Sequence, residues 1–249
     1  MLRIQQALED DRFELYYQPI VPISNKKDGT VHYEILVRMI DENGKIILPA
    51  AFIPSAERYH MMPKIDYWVI QHLFQWLEKY WDTSSRGIFA INLSGQSMAD
   101  GDLLQKVMRL VEASSISPQN ISFEITETAA ISNILLAKNF ITDLKKVGCK
   151  FALDYFGSGL SSFAYLKNLP VDYLKIDGAF VKDIVQNPID RAMVEAIHNI
   201  GSVMKLETIA EFVENDDILK VLQEVGVNYA QGYGIARPMP PPHNNSKLW

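Results

Sequence analysis

Seven short apolar runs in this sequence each carry a charged or amide side chain where packing alone would favour a hydrophobic one. Glu34 lies in YEILVR, Asn92 in FAINLS, Glu124 and Glu127 in FEITET, and Asp154 in FALDYFGSG. Lys175 lies in YLKID, Glu211 in IAEFVE and Gln231 in YAQGYG. Burying such groups is costly unless they are paired or bind metal. Taken singly, each reads more simply as a loop-edge residue or a satisfied core ion. Spread over seven runs, four acids and an asparagine make an oxygen-only donor set. Hard Mg2+ or Mn2+ prefers such ligands, whereas zinc usually takes some nitrogen or sulfur. Of the histidines at 32, 60, 72, 198 and 243, only His32 is close in sequence to a candidate ligand. Alternation puts it on the same strand face as Glu34, and it reads as a strand-start residue. Lys175 suits stabilising phosphate charge or positioning a water; it equally suits an ion pair with Asp177 or another carboxylate. Glu211 is a candidate general base or a structural partner for Lys175. The chemistry in reach is metal-assisted hydrolysis of a phosphoryl ester, with the substrate left open.

Such a set needs elements to bring it together. Residues 13–21, 33–39, 88–93, 121–127, 150–156, 173–176, 207–213 and 229–235 read as strands. Helical stripes lie between them. One is Ile65, Trp68, Val69, Leu73, Trp76, Leu77 and Tyr80; another is Leu136, Phe140, Leu144 and Val147, followed by Gly148 as a C-cap. Met193, Ala196, Ile197 and Ile200 form a third, and Ile218, Val221, Leu222 and Val225, stopped by Gly226, a fourth. Strands alternating with helices place the chain in the α/β class, with the sheet closed into a TIM-like (β/α)8 barrel. An open doubly wound sheet is disfavoured, because no G-x-G-x-x-G follows the first strand. Residues 24–30, SNKKDGT, read as a hairpin turn with Asp-Gly, which makes the first strand antiparallel. Most of the singled-out residues fall towards strand C-terminal ends, where barrel enzymes build their sites. Glu34 comes early in its run.

At 249 residues, 48% hydrophobic and 22% charged, the chain suits one domain over 1–249, with a core of about 13–238 and a loose Pro- and Asn-rich tail over 239–249. Lys and Arg number 24 against 30 Asp and Glu, a net charge of −6. That excludes a broad electrostatic footprint for duplex nucleic acid. A small phosphate ligand stays open, because divalent cations neutralise local carboxylates. The single Cys149 excludes an internal disulfide framework and a cysteine zinc site, and points to a reducing compartment. The N-terminus lacks a signal-type apolar run, and no stretch reaches the ~20 apolar residues of a membrane span. The chain therefore reads as cytoplasmic, alone or as the cytoplasmic domain of a larger protein.

Ordered motifs along the chain carry a resemblance. They are Tyr17-Gln18-Pro19-Ile20-Val21, Glu34-Ile35-Leu36 with Arg38, the run 52–57 (FIPSAE) and Asn92-Leu93-Ser94. They continue with Glu124-Ile125-Thr126-Glu127, the pair LPVD (169–172) and LKID (174–177), the run 210–214 (AEFVE) and Gln231-Gly232-Tyr233. In this order they resemble the EAL domain of bacterial cyclic di-GMP phosphodiesterases. The resemblance implies a (β/α)8-type barrel with an antiparallel first strand. It implies a divalent-metal enzyme, using Mg2+ or Mn2+, that cuts cyclic di-GMP to linear pGpG. It casts Glu34, Asn92, Glu124 and Asp154 as first-metal ligands and Glu211 as base and second-metal ligand. Lys175 becomes the water- and phosphate-positioning cation, and Glu127 the anchor of the loop 156–160. Gln18, Arg38, Asp177 and Gln231 become substrate contacts, the Arg38 guanidinium being suited to phosphate. The family also implies a homodimer, and fusion to GGDEF or sensory domains.

One departure bears on activity. Where the family has Asp-Asp-Phe-Gly-Thr-Gly, this chain has Asp154-Tyr155-Phe156-Gly157-Ser158-Gly159. Ser158 keeps a hydroxyl. Tyr155 replaces the second Asp, a second-metal ligand in the family, and a phenol that is neutral at pH 7 is a poor Mg2+ ligand. Two expectations follow: a phosphodiesterase slowed by a weakened second metal, or a catalytically silent cyclic di-GMP receptor. Ile35 and Phe212, in place of Ala and Gly, are expected to alter packing more than chemistry.

Overall fold

The computed structural model describes residues 2–23, 30–82, 86–157 and 165–242. In chain order the strands are β1 (Phe13–Pro22), β2 (Val31–Ile40), β3 (Ile46–Ile47), β4 (Gly87–Leu93), β5 (Ile121–Thr126), β6 (Lys150–Phe156), β7 (Tyr173–Ile176), β8 (Glu207–Ala210) and β9 (Tyr229–Ala230). Among the described residues they form one sheet, which β1 closes by pairing with both β2 and β9. β1 is antiparallel to both neighbours. From β2 through β4 to β9 the ring is parallel. β3 only extends β2 at its edge. The antiparallel start inferred from the Asp-Gly turn is present, although the turn itself, residues 24–29, lies outside the described residues.

Helices cover the outer face. Met62–Tyr80 buries Ile65, Val69, Leu73 and Leu77 of its expected stripe. Ile134–Lys146 is capped by Asn133, which accepts from the Leu136 amide, and Gly148 follows with φ 107°. Asp216–Val225 starts on Asn215 and stops at Gly226, whose φ of 93° few other residues adopt. The N-terminal helix Leu2–Glu9 buries Ile4 and Ala7 in a satellite cluster with Phe13, Phe52 and Met62.

Inside the barrel the two-residue period of the strands sorts the layers. Ile20, Ile88, Ala152, Tyr173, Ile209 and Tyr229 form an apolar floor. Stepping two residues along four of these strands reaches Gln18, Ala90, Asp154 and Lys175; on β8 and β9 the same step reaches Glu211 and Gln231 just past the strand ends. His32 belongs to this floor, buried with its ring 4.3 Å from that of Tyr229.

Two strands are shorter than their sequence pattern. The run 207–213 ends as a strand at Ala210, because Phe212 takes φ 54°. The run 229–235 ends at Ala230. There Gly232 packs so closely on Val213 that a Cβ would lie 2.2 Å from its carbonyl oxygen. The tail also departs from expectation. Met239 exchanges backbone hydrogen bonds of 2.8 and 2.9 Å with Tyr17, and the Trp76 indole donates to the Pro242 carbonyl. Residues 239–242 are therefore tied to the barrel, and 243–249 lie outside the described residues.

Candidate active site

The strands deliver the acids to one point, and a lysine occupies it. Lys175 Nζ, fully buried on β7, lies 2.7 Å from Glu124 Oε2 and 3.1 Å from Glu211 Oε1. Glu34 Oε2 is at 3.3 Å and Asp154 Oδ1 at 3.6 Å. These carboxylates come from β2, β5, β6 and the end of β8, so closure of the barrel is what assembles them. Glu34, early in its run by sequence, stands level with the rest. The Asn92 amide donates to Glu34 Oε1 at 2.8 Å from an exposed position at the mouth. Gln231 donates to Glu34 Oε2 and to Gln18 Oε1, and the Gln18 amide donates to the Ala236 carbonyl.

Burial dominates the electrostatics. It pushes Glu124 well above the usual carboxylate range and raises Asp154; Lys175 opposes both shifts, while neighbouring acids add to them. Glu211 rises to about 8 by burial, against Lys175 and with Asp154 and Glu34. Burial also acts to raise Glu34, but Lys175 and the amides of Gln231 and Asn92 outweigh it and hold its pKa low. Burial works against the Lys175 charge, and the four surrounding carboxylates more than reverse that. The carboxylates outnumber the one buried cation, so the mouth favours added positive charge.

Glu127 is buried at the first turn of Glu127–Ser132, not within a strand. It accepts from the Gly157 amide at 3.2 Å and from the Tyr165 hydroxyl. It thus ties Gly157 to Tyr165; residues 158–164 lie outside the described residues. Tyr165 gave no sequence signal, since in the run 163–166 (FAYL) it reads as ordinary core packing. Asp177 stands outside the acid cluster: its carboxylate caps Gly178–Val181 through the Ala179 amide at 2.8 Å. Arg38 is half-buried, its guanidinium carbon 5.0 Å from the Tyr16 ring centroid.

Comparison with known proteins resolves what kind of barrel this is. Residues 1–238 match the EAL domain family. The chain belongs to the EAL domain family. It is 44% identical over 241 residues to the cyclic di-GMP phosphodiesterase PdeB of Shewanella oneidensis, across 96% of this chain and 28% of PdeB. It is 38% identical to the cyclic di-GMP phosphodiesterase PdeF of Escherichia coli, across 96% of this chain and 32% of that one. This EAL domain thus spans about a third of the length of these curated relatives. Among solved structures it is similar to the FimX EAL domain from Pseudomonas aeruginosa bound to c-di-GMP, with TM-score 0.90, 29% identity and 98% of both chains covered. The PaMucR phosphodiesterase in complex with c-di-GMP matches with TM-score 0.85 and 31% identity over 96% of each chain.

The family in general is metal-dependent, and the donors of this EAL domain fit a hard divalent cation. All are oxygens, and two of them, Glu124 Oε1 and Glu211 Oε2, are buried without a hydrogen-bond partner among the described residues. No three His, Cys, Asp or Glu side chains among the described residues are already drawn into a finished cage; they converge on the Lys175 ammonium instead. Tyr155 stands beside them with φ 53°, where the β6–β7 register slips between Leu153 and Phe156. Bulges of this kind re-aim side chains, and Tyr155 is 45% exposed. Burial of its phenol, with Asp154 and Glu211 close by, pushes it up to about 12, so it is neutral at pH 7. Ile35 is buried in the outer core, as alternation requires. Phe212 instead lies over Gly178, 45% exposed, with Lys182 Nζ 4.6 Å from its ring centroid. Among the described residues no helix is long and apolar enough to cross a membrane.

Proposed function

We propose that this EAL domain hydrolyses one phosphodiester of cyclic di-GMP to give linear pGpG, with Mg2+ or Mn2+ as cofactor. The observation that carries the reading is the convergence of Glu34, Glu124, Asp154 and Glu211 on one buried ammonium, with two carboxylate oxygens left unpartnered. The substrate class is supported by the relatives named cyclic di-GMP phosphodiesterases and by the solved c-di-GMP complexes. Glu34, Asn92, Glu124 and Asp154 would hold a first cation, and Asp154 with Glu211 a second. The chemistry such a cation would supply, when bound, is charge withdrawal from a phosphate oxygen and a more acidic water.

Glu211 takes a proton from the attacking water. The water oxygen bonds to phosphorus as the bond from phosphorus to the ribose 3′-oxygen breaks. That oxygen takes a proton from solvent and leaves as a 3′-hydroxyl, Glu211 returns its proton to solvent, and the phosphate stays on the 5′-oxygen of the other nucleoside. Lys175 holds positive charge against the phosphate oxygens. Glu127 fixes the loop after β6 through Gly157 and Tyr165. Gln18, Arg38, Asp177 and Gln231 contact the nucleotide. A homodimer, fusion to GGDEF or sensory domains, and a cytoplasmic location belong to the same reading.

Tyr155 favours a second reading, in which the domain binds cyclic di-GMP without cutting it. Incubation with cyclic di-GMP and Mg2+ or Mn2+ separates the two. Slow pGpG formation is expected in the wild type and none in Glu211→Ala. Tyr155→Asp should be faster by about tenfold or more, since it restores an anionic ligand. Absent pGpG with calorimetric binding selects the receptor, and absence of both removes both readings. Unchanged turnover in Tyr155→Asp would show that position 155 is not a second-metal position.

A further inference from the structure

Arg237 stands in the Pro-rich stretch after Gln231, where no strand or helix pattern marks it. Its backbone is held from both sides. The preceding Ala236 carbonyl accepts from the Gln18 amide at 2.9 Å, and Met239, two residues on, pairs with Tyr17. Pro238 between them confines Arg237 to extended conformations. The Arg237 guanidinium carbon then lies 4.4 Å from the ring centroid of Tyr233, which is 59% exposed. On the other side, Tyr233 and Glu34 both lie near enough to Arg38 to act on its charge, and Arg38 is itself braced on Tyr16. Arg237 therefore stacks on Tyr233, and Arg38, stacked on Tyr16, is within Coulombic reach of both Tyr233 and Glu34. Neither arginine makes an ion pair among the described residues, in a chain with six surplus acids.

Stacked arginines keep their planar donor fork pre-organised and free to bind an anion. Two of them, beside a mouth whose acids and Lys175 address one phosphate, suit a ligand with a second phosphate. We propose that Arg237 is a substrate-positioning residue that holds the phosphodiester left uncut, with Tyr233 as its brace and Arg38 beside it. This rests on the cyclic dinucleotide reading above.

The test is the KM–kcat split for cyclic di-GMP in wild type, Arg237→Gln and Arg237→Lys, with calorimetric affinity as a second readout. Bis(p-nitrophenyl) phosphate, a diester with one phosphate and no base, is the control substrate. Losing one charge-assisted contact should raise KM about tenfold. The kcat should stay within about twofold, and the salt dependence of KM should become shallower. Arg237→Lys should recover part of the loss, and the control substrate should not respond. Cyclic di-AMP affinity should fall in parallel, because its phosphates are the same. An unmoved KM in Arg237→Gln, while the wild type still cuts cyclic di-GMP, overturns the Arg237 assignment alone. Equal losses on the control substrate, or a loss confined to the guanine ligand, also overturn it. A wild type that neither binds nor cuts cyclic di-GMP overturns the parent reading and this assignment with it.

Discussion

Lys175 is surrounded on four sides by carboxylates and screened from water, so its ammonium and any divalent cation compete for the same oxygens. Removing it leaves several negative groups facing one another in a buried space. Breaking a buried ion pair from one side costs about 3–5 kcal/mol. Lys175→Met should therefore lose turnover and, without metal, unfold at a markedly lower temperature. Added Mn2+ should then recover more of the unfolding temperature in the variant than in wild type, because it takes over the missing charge. Equal Mn2+ shifts in the two proteins would count against that competition. At this scale the sequence was informative about residue type and poor about partners. A carboxylate inside an apolar run stands out, so Glu34, Glu124, Asp154 and Glu211 were all legible. Spacing also allowed Asp177 as the Lys175 partner; the structure instead commits Asp177 to a helix cap, which depends on a backbone turn that spacing does not reveal.

Asp66 shows how an element is held against the site without entering it. On Met62–Tyr80 it is buried and accepts from the Ser97 hydroxyl at 2.6 Å and the Ser94 amide at 2.9 Å. That fixes the start of Gly95–Met98, just beyond Asn92. Burial raises Asp66 to about 6, against the hydrogen bonds from Ser97 and Ser94. The folded state then holds a proton that the unfolded chain releases near pH 4. Its contribution to stability therefore falls as pH rises from about 4 to 6, by on the order of 3 kcal/mol. Asp66→Asn keeps an oxygen acceptor and should flatten that stretch of the stability–pH curve. Denaturant melts of both proteins at pH 4.5, 6 and 8 measure it, and parallel curves would refute it. A second lock joins the loops after β7 and β8. A Cβ on Gly178 would lie 2.1 Å from Phe212 Cδ2. Gly178→Ala should cost about 1–3 kcal/mol by overpacking, and Phe212→Gly should cancel most of that cost in the double variant. Strong two- and 3.6-residue periods made the strands and long helices legible. Gly95–Met98 and Gly178–Val181 are single turns, too short for any period. The ends of β8 and β9 were overrun because Phe212 and Gly232 break them by backbone conformation and close contact, which hydrophobic pattern does not register.

Among the described residues β9 is thinly paired on both sides, sharing two positions with β8 and two with β1, at the seam where the ring closes. β1 and β9 share only two paired positions, Val21 with Ala230 and Pro22 with Tyr229. Further up the seam, the Tyr17–Met239 bridge and the Gln18–Ala236 hydrogen bond take over. Met239→Pro removes the amide that donates to Tyr17 and should lower stability by about 1–3 kcal/mol. A denaturant melt that matches wild type would show the bridge to be idle. The closed barrel itself was legible, because strand count, helix alternation and the Asp-Gly turn agreed. The docked tail was not, since Pro-Met-Pro-Pro-Pro looks the same free or bound. The two sides of the seam are also far apart in the chain, Gln18 and Ala236 being 218 residues distant. Contacts of such long range form slowly. A chain emerging from its N-terminus holds the β1 edge open until β9 and Met239 have been made, and unpaired edges invite pairing with other chains. The exposed interval in this protein's life is therefore its own synthesis, and it ends when the last residues of the seam arrive.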